Sequence, residues 1–99
     1  MKTKNEAVRE LVLFAVNDAF TYYNSIQPTL KNLRSKIERN TYDESKAPKA
    51  WEHVARVAAL RYASQYCSDV KWHQVFPADF RRVAALELME YFDDELHSA

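Results

Sequence analysis

The chain holds 99 residues and not one glycine. That absence narrows the fold before any other feature does. Tight primed hairpins and phosphate-cradling loops need backbone torsions that glycine supplies at low cost. A glycine-free chain of this length is therefore expected to fold as helices joined by short polar turns. Hydrophobic residues make up 47% and charged residues 28%, the mix of a folded chain rather than a disordered one. Ninety-nine residues suit a single domain with one core. Aromatics at 13% are generous for so small a core, so some rings are expected at the surface.

Apolar spacing predicts an all-α protein of four helices, over about 5–24, 28–39, 44–67 and 77–96. In the first, Ala7, Val8, Leu11, Val12, Ala15, Ala19, Tyr22 and Ile26 recur at three-and-four spacing. Leu13, Val16 and Phe20 make a second apolar strip about 100° round. A helix apolar on two sides is either central in its bundle or touches another chain, and the strip could close a homodimer. The second helix starts near Pro28, where a missing N–H costs nothing, and turns inward on Leu30, Leu33 and Ile37. Asn40 ends it in the left-handed conformation that asparagine tolerates better than most residues.

Asp43 or Ser45 is expected to cap the third helix, with Pro48 confined to the first turn. Its core face reads Ala47, Trp51, Val54, Ala55, Ala58, Tyr62 and Tyr66; the opposite side carries Lys49, Glu52, His53, Arg56 and Leu60. The linker CSDVKWHQVF, whose His73 between two aromatics near Lys71 could form a small recognition site but whose Trp72 and Phe76 more often serve as packing anchors, leads to a last helix facing inward on Phe80, Ala84, Leu88, Tyr91 and Phe92. Arg61 and Arg81 project onto apolar faces. Each either snorkels or finds a carboxylate, Asp18 and Glu95 being the available partners, because an isolated buried charge costs several kcal/mol.

Net charge is zero, but the charges are segregated. Residues 31–82 carry eleven Lys/Arg against six Asp/Glu, a balance of +5; residues 83–99 carry no Lys/Arg and five acids, a balance of −5. Such a dipole steers charged partners.

Catalytic signatures are scarce. His53, His73 and His97 lie on separate segments with no second ligand at metal spacing, so no metal or cofactor is expected. Cys67 is the single cysteine, which rules out an intrachain disulfide and suits a reducing cytoplasm. The N-terminus has no signal-peptide core, and the longest apolar run, LVLFAV, is too short to span a bilayer. The expectation is a cytoplasmic, non-enzymatic protein without a membrane partner.

Two surfaces stand out as binding candidates. One joins Tyr42, Asp43, Glu44 and Lys46 to Lys49, His53, Arg56 and Leu60. The other is the acidic face of Glu87, Glu90, Asp93 and Asp94. Nucleic-acid binding is a weaker alternative, resting on Lys31, Arg34, Lys36, Arg39, Lys46, Lys49, Arg56 and Arg82. A neutral chain and a turn, NTYDES, without the usual small residue argue against a helix–turn–helix.

The KNL…K helix, the TYDESKAPKAW turn, the RYA segment and the FP…RR…A…EL helix together resemble a group of small proteins from tailed phages and related mobile elements. The resemblance covers about residues 22–92. In that group a glycine often precedes the Thr/Val-Tyr-Asp step, where this chain has Asn40. The resemblance carries over no catalytic residue. It implies a protein that binds a host protein inside the bacterial cell, such as a defence nuclease complex of the CRISPR–Cas kind.

Overall fold

The computed structural model describes residues 3–67 and 69–98, and every regular element in it is helical. Ser68, within the expected linker, lies outside the described residues. Helix α1 is Lys4–Asn17. Helix α2 covers residues 19–38, made of Ala19–Thr21, a π-helical turn Tyr22–Ile26 and Gln27–Glu38. Helix α3 is Ala47–Tyr66. The short α4, Trp72–Val75, precedes α5, Ala78–Tyr91, and α6, Asp93–His97. Four of these helices are long and two are single turns. None among the described residues is long and apolar enough to cross a membrane.

The first two boundaries differ from the sequence expectation of 5–24 and 28–39. The chain breaks at Asp18, whose backbone is extended (φ −83°, ψ 116°). Its N–H closes α1 on the Phe14 carbonyl at 2.8 Å. Its carboxylate opens α2 by accepting the Thr21 N–H at 3.1 Å and the Thr21 hydroxyl at 2.7 Å, which is N-cap chemistry. Apolar residues continue at helical spacing on both sides of this break, so periodicity alone does not reveal it. The signal available was an aspartate three residues ahead of a threonine.

Pro28 falls in the first turn of the α-helical segment Gln27–Glu38, as expected, but that segment continues from the π turn Tyr22–Ile26 rather than starting afresh, so the proline lies inside α2. An interior proline lacks one N–H and its ring presses on the carbonyl four residues back. The π turn just before it relieves both: the Gln27 N–H reaches the Tyr22 carbonyl, five residues back, and the ladder shifts by one residue ahead of the ring.

Asn40 ends α2 with φ 56°. The Thr41 N–H bonds the Lys36 carbonyl at 2.8 Å and the Asn40 N–H bonds that of Ile37 at 3.1 Å, a Schellman closure without glycine. Asp43 does not cap α3. Its carboxylate closes a preceding turn on the Ser45 N–H (3.0 Å) and hydroxyl (2.6 Å). Helix α3 begins at Ala47 instead, with Pro48 in its first turn.

The core forms where α1, α3 and α5 pack against one another. Val8, Leu11, Ile26, Trp51, Val54 and Leu88 are fully buried. Ala55, Ala58 and Ala59 on α3 and Ala84 and Ala85 on α5 are fully buried too, and small side chains there let the two helices approach closely. Trp51 stacks flat on Phe92, centroids 5.4 Å apart. Phe92 is where the expected 77–96 helix divides, as its backbone departs from helical values (φ −98°, ψ 6°) and α6 restarts at Asp93. Tyr66 and Tyr91, expected to face inward, are 66% and 61% exposed. Tyr66 lies at the end of α3, and Tyr91 turns outward while Phe92 takes the buried place beside Trp51.

Arg61 from α3 grips Asp18 with two bonds, Nε to Oδ2 at 2.6 Å and Nη2 to Oδ1 at 3.2 Å, and lays its guanidinium over the Phe20 ring at 4.5 Å. The Arg61 hydrogen bond, ahead of the opposing effect of burial, holds the Asp18 carboxyl below its ordinary range; Thr21 adds to it. A depressed folded-state value means this stabilisation is complete above the unfolded aspartate value, about pH 4, and is lost as pH falls through the lower folded value. Asp18→Ala is therefore expected to cost about 2 kcal/mol and lower Tm by about 10 °C. In urea unfolding followed from pH 7 to pH 2, the difference between wild type and variant should close below about pH 4; a constant difference would contradict the assignment.

Candidate functional site

With one side of α3 locked into the core by Trp51, Val54, Ala55 and Ala58, the opposite side has no choice but solvent. Lys49, His53, Arg56 and Leu60 are spaced by four, three and four residues and form one stripe along it. All four are exposed, and Leu60 shows 42% of its surface. The sequence brought these residues together, and the folded chain keeps them together.

That the KWHQVF segment lies beside this stripe was not legible in the sequence. The chain leaves α3 at Cys67, a half-buried thiol, and returns through α4. Phe76 fixes the return: it is buried, meets Tyr62 edge-on at 5.2 Å, and its carbonyl accepts the Arg81 Nε–H at 3.1 Å. So anchored, α4 places the half-buried Trp72 indole under two guanidinium groups, Arg81 at 4.6 Å and Arg56 at 5.5 Å from the ring centroid. His73 stands edge-on to the same ring at 5.6 Å. Among the described residues neither Arg56 nor Arg81 has a carboxylate within 4.0 Å. Between α3 and this turn runs a shallow groove of about 310 Å³ lined by Leu60, Ala63, Ser64, Cys67, Val70 and Trp72. An apolar trough thus ends at a cationic, aromatic wall.

Arg81 is accordingly not the partner of Glu95. Glu95 meets Arg34, whose Nη2 donates to its carbonyl at 2.9 Å and sits 3.9 Å from its carboxylate. The division of the last helix at Phe92 explains this, since α6 packs on α2 rather than continuing along α5.

The turn before α3 contributes less than its sequence implied. Tyr42 points its ring edge-on at His97, 6.0 Å away, while burial, with Glu44 and Asp93 adding to it, pushes its phenol above the ordinary value. It thus belongs to the C-terminal corner. The Asp43 carboxylate is occupied by Ser45, which holds it low. Glu44 and Lys46 are exposed. The acidic residues Glu87 and Glu90 on α5 and Asp93 and Asp94 on α6 are all exposed, but the break at Phe92 divides them between two helices. Asp93 lies 3.4 Å from His97 Nε2.

The strip on α1 does not sit centrally in the bundle. Leu13 is 53% exposed and Phe20 50%, Val16 is half-buried, and the turn at Asp18 separates Phe20 from the other two. No group of His, Cys, Asp and Glu that could hold a metal ion occurs among the described residues.

No known protein family, characterised protein or solved structure matches the chain.

The signal that could have pointed to Trp72 is KWHQVF, an aromatic among basic residues in a linker. Its meeting with Arg56 is tertiary. Trp72→Ala should leave the fold intact, cost about 1 kcal/mol for each lost guanidinium contact, and free the Arg56 side chain. ¹⁵N relaxation at Arg56 Nε measures that release, and an unchanged order parameter would show that the indole does not hold it.

Proposed function

We propose that the protein is a non-enzymatic, protein-binding module of a phage or other mobile element, working in the cytoplasm of a bacterial host. An inhibitor of a defence system of the CRISPR–Cas kind is the concrete form of this reading. Its origin rests on the resemblance over residues 22–92. Its docking face is the outer side of α3, from Lys49 to Leu60, extended by Trp72.

The observation that carries the assignment is the Arg56–Trp72 contact beside the exposed Leu60. Tryptophan and arginine dominate the energetics of protein interfaces. An arginine already resting on a ring loses less freedom when it binds than one waving in solvent. The acidic residues Glu87, Glu90, Asp93 and Asp94 form a second surface of the opposite sign, which could meet a basic nucleic-acid channel by charge complementarity.

A nucleic-acid reading draws on Lys31 and Lys36, exposed on α2, on Arg39 just past its end, and on Lys46 and Lys49. Against it, two guanidinium groups already use the π surface of Trp72, which single-stranded bases would need for stacking. A gel shift with generic DNA and RNA in low salt is expected to show no complex at micromolar protein; strong binding that weakens steeply with salt would favour nucleic acid instead. In affinity capture from host lysate, wild type should retain a specific protein that Arg56→Glu does not. Equal retention by both would reject this face.

A further inference from the structure

We infer that the partner segment received by the α3 face is acidic and amphipathic, with an apolar side chain in the Leu60–Trp72 groove and carboxylates on Arg56 and Arg81. This inference rests on the protein-binding reading above and specifies what that face accepts.

Three observations lead to it. The groove's floor and walls are mostly apolar, from Leu60, Ala63, Val70 and Trp72, and its volume of about 310 Å³ suits one or two side chains rather than a whole helix. At its Trp72 end both guanidinium groups face an aromatic ring and no carboxylate within 4.0 Å among the described residues. The other surface arginines with long-range contacts differ on this point, since Arg61 is paired with Asp18 and Arg34 with Glu95. Guanidinium forks match carboxylates with two parallel hydrogen bonds. Arg81 is further pre-set by its bond to the Phe76 carbonyl, so its orientation is fixed before a ligand arrives. With Lys71 and Arg82 also exposed nearby in sequence, the complementary charge is negative. A base-stacking ligand fits less well, because the indole is already covered by cations.

The test uses the intact protein labelled with ¹⁵N and three probes: a short synthetic peptide with leucine and phenylalanine among aspartates and glutamates, the same peptide with lysines for the acids, and single-stranded oligothymidine. The acidic peptide is expected to move the indole N–H signal of Trp72, identified by its loss in Trp72→Phe, and to leave that of the buried Trp51 in place. Arg56→Glu and, independently, Leu60→Asp should each weaken binding about tenfold or more, and raising the salt should weaken it further. No shift with the acidic peptide, an equal shift with the lysine peptide, or tighter binding of oligothymidine would each overturn the inference. These outcomes separate the two levels of the reading. If the acidic peptide fails while Arg56→Glu still abolishes capture of the host protein, the face stands and its partner is not acidic. If Arg56→Glu leaves capture unchanged, the face itself is wrong.

Discussion

The contact between Asp18 and Arg61 is the constraint on which the other features of this molecule depend. One carboxylate ends α1, starts α2 and receives a guanidinium from α3, so three helices share a single fixed point. The pair is only partly removed from water, its side chains retaining 11% and 34% of their exposure. The desolvation cost is therefore smaller than for a deeply buried pair, while the bidentate geometry and the bonds to Thr21 leave neither oxygen idle. Because Arg61 is pinned, the rotation of α3 about its own axis is pinned as well. Together with the buried face of Trp51, Val54, Ala55 and Ala58, this keeps Lys49, His53, Arg56 and Leu60 facing outward.

The absence of glycine shows how each change of direction is made by other means. Asn40 accepts a positive φ, Asp43 folds its own carboxylate onto Ser45, Asp18 caps in both directions, and Phe92 breaks a helix while holding its ring against Trp51. One of these, Asn40, was readable from local chemistry, as was the start of α3. Asparagine before a polar turn marks a helix end, and a proline one residue into an alanine-rich run marks a helix start. The buried face of α3 was readable as well, since Trp51, Val54, Ala55 and Ala58 keep a strict helical period. The other breaks were hidden for a physical reason. Periodicity reports which side of a helix is apolar, and apolar spacing continues on both sides of the turn at Asp18 and of the π turn before Pro28.

The candidate surface shows the same division. The stripe on α3 is a property of one helix and could be drawn from its sequence. Trp72 joins it only because Phe76 is buried against Tyr62 and Arg81 ties the turn down from α5. Such a relation involves three segments and leaves no local trace beyond an aromatic among basic residues. Tyr42 moved the opposite way, from the expected docking corner to the C-terminal one, because His97 and the core offered its ring more contact than solvent did. The result is a small helical body with a cationic, partly apolar face on α3 and a separate acidic region on α5 and α6, charged for association yet neutral as a whole.

If one carboxylate organises the fold, its titration should say so. Carbon-detected NMR of the Asp18 side-chain carboxyl, followed against pH with the protein folded, reads this without any substitution. The expected midpoint lies clearly below the ordinary aspartate value of 3.8, with the Arg61 Nε–H signal shifting over the same range. A midpoint at or above that value in the folded protein, with Arg61 unresponsive, would contradict it.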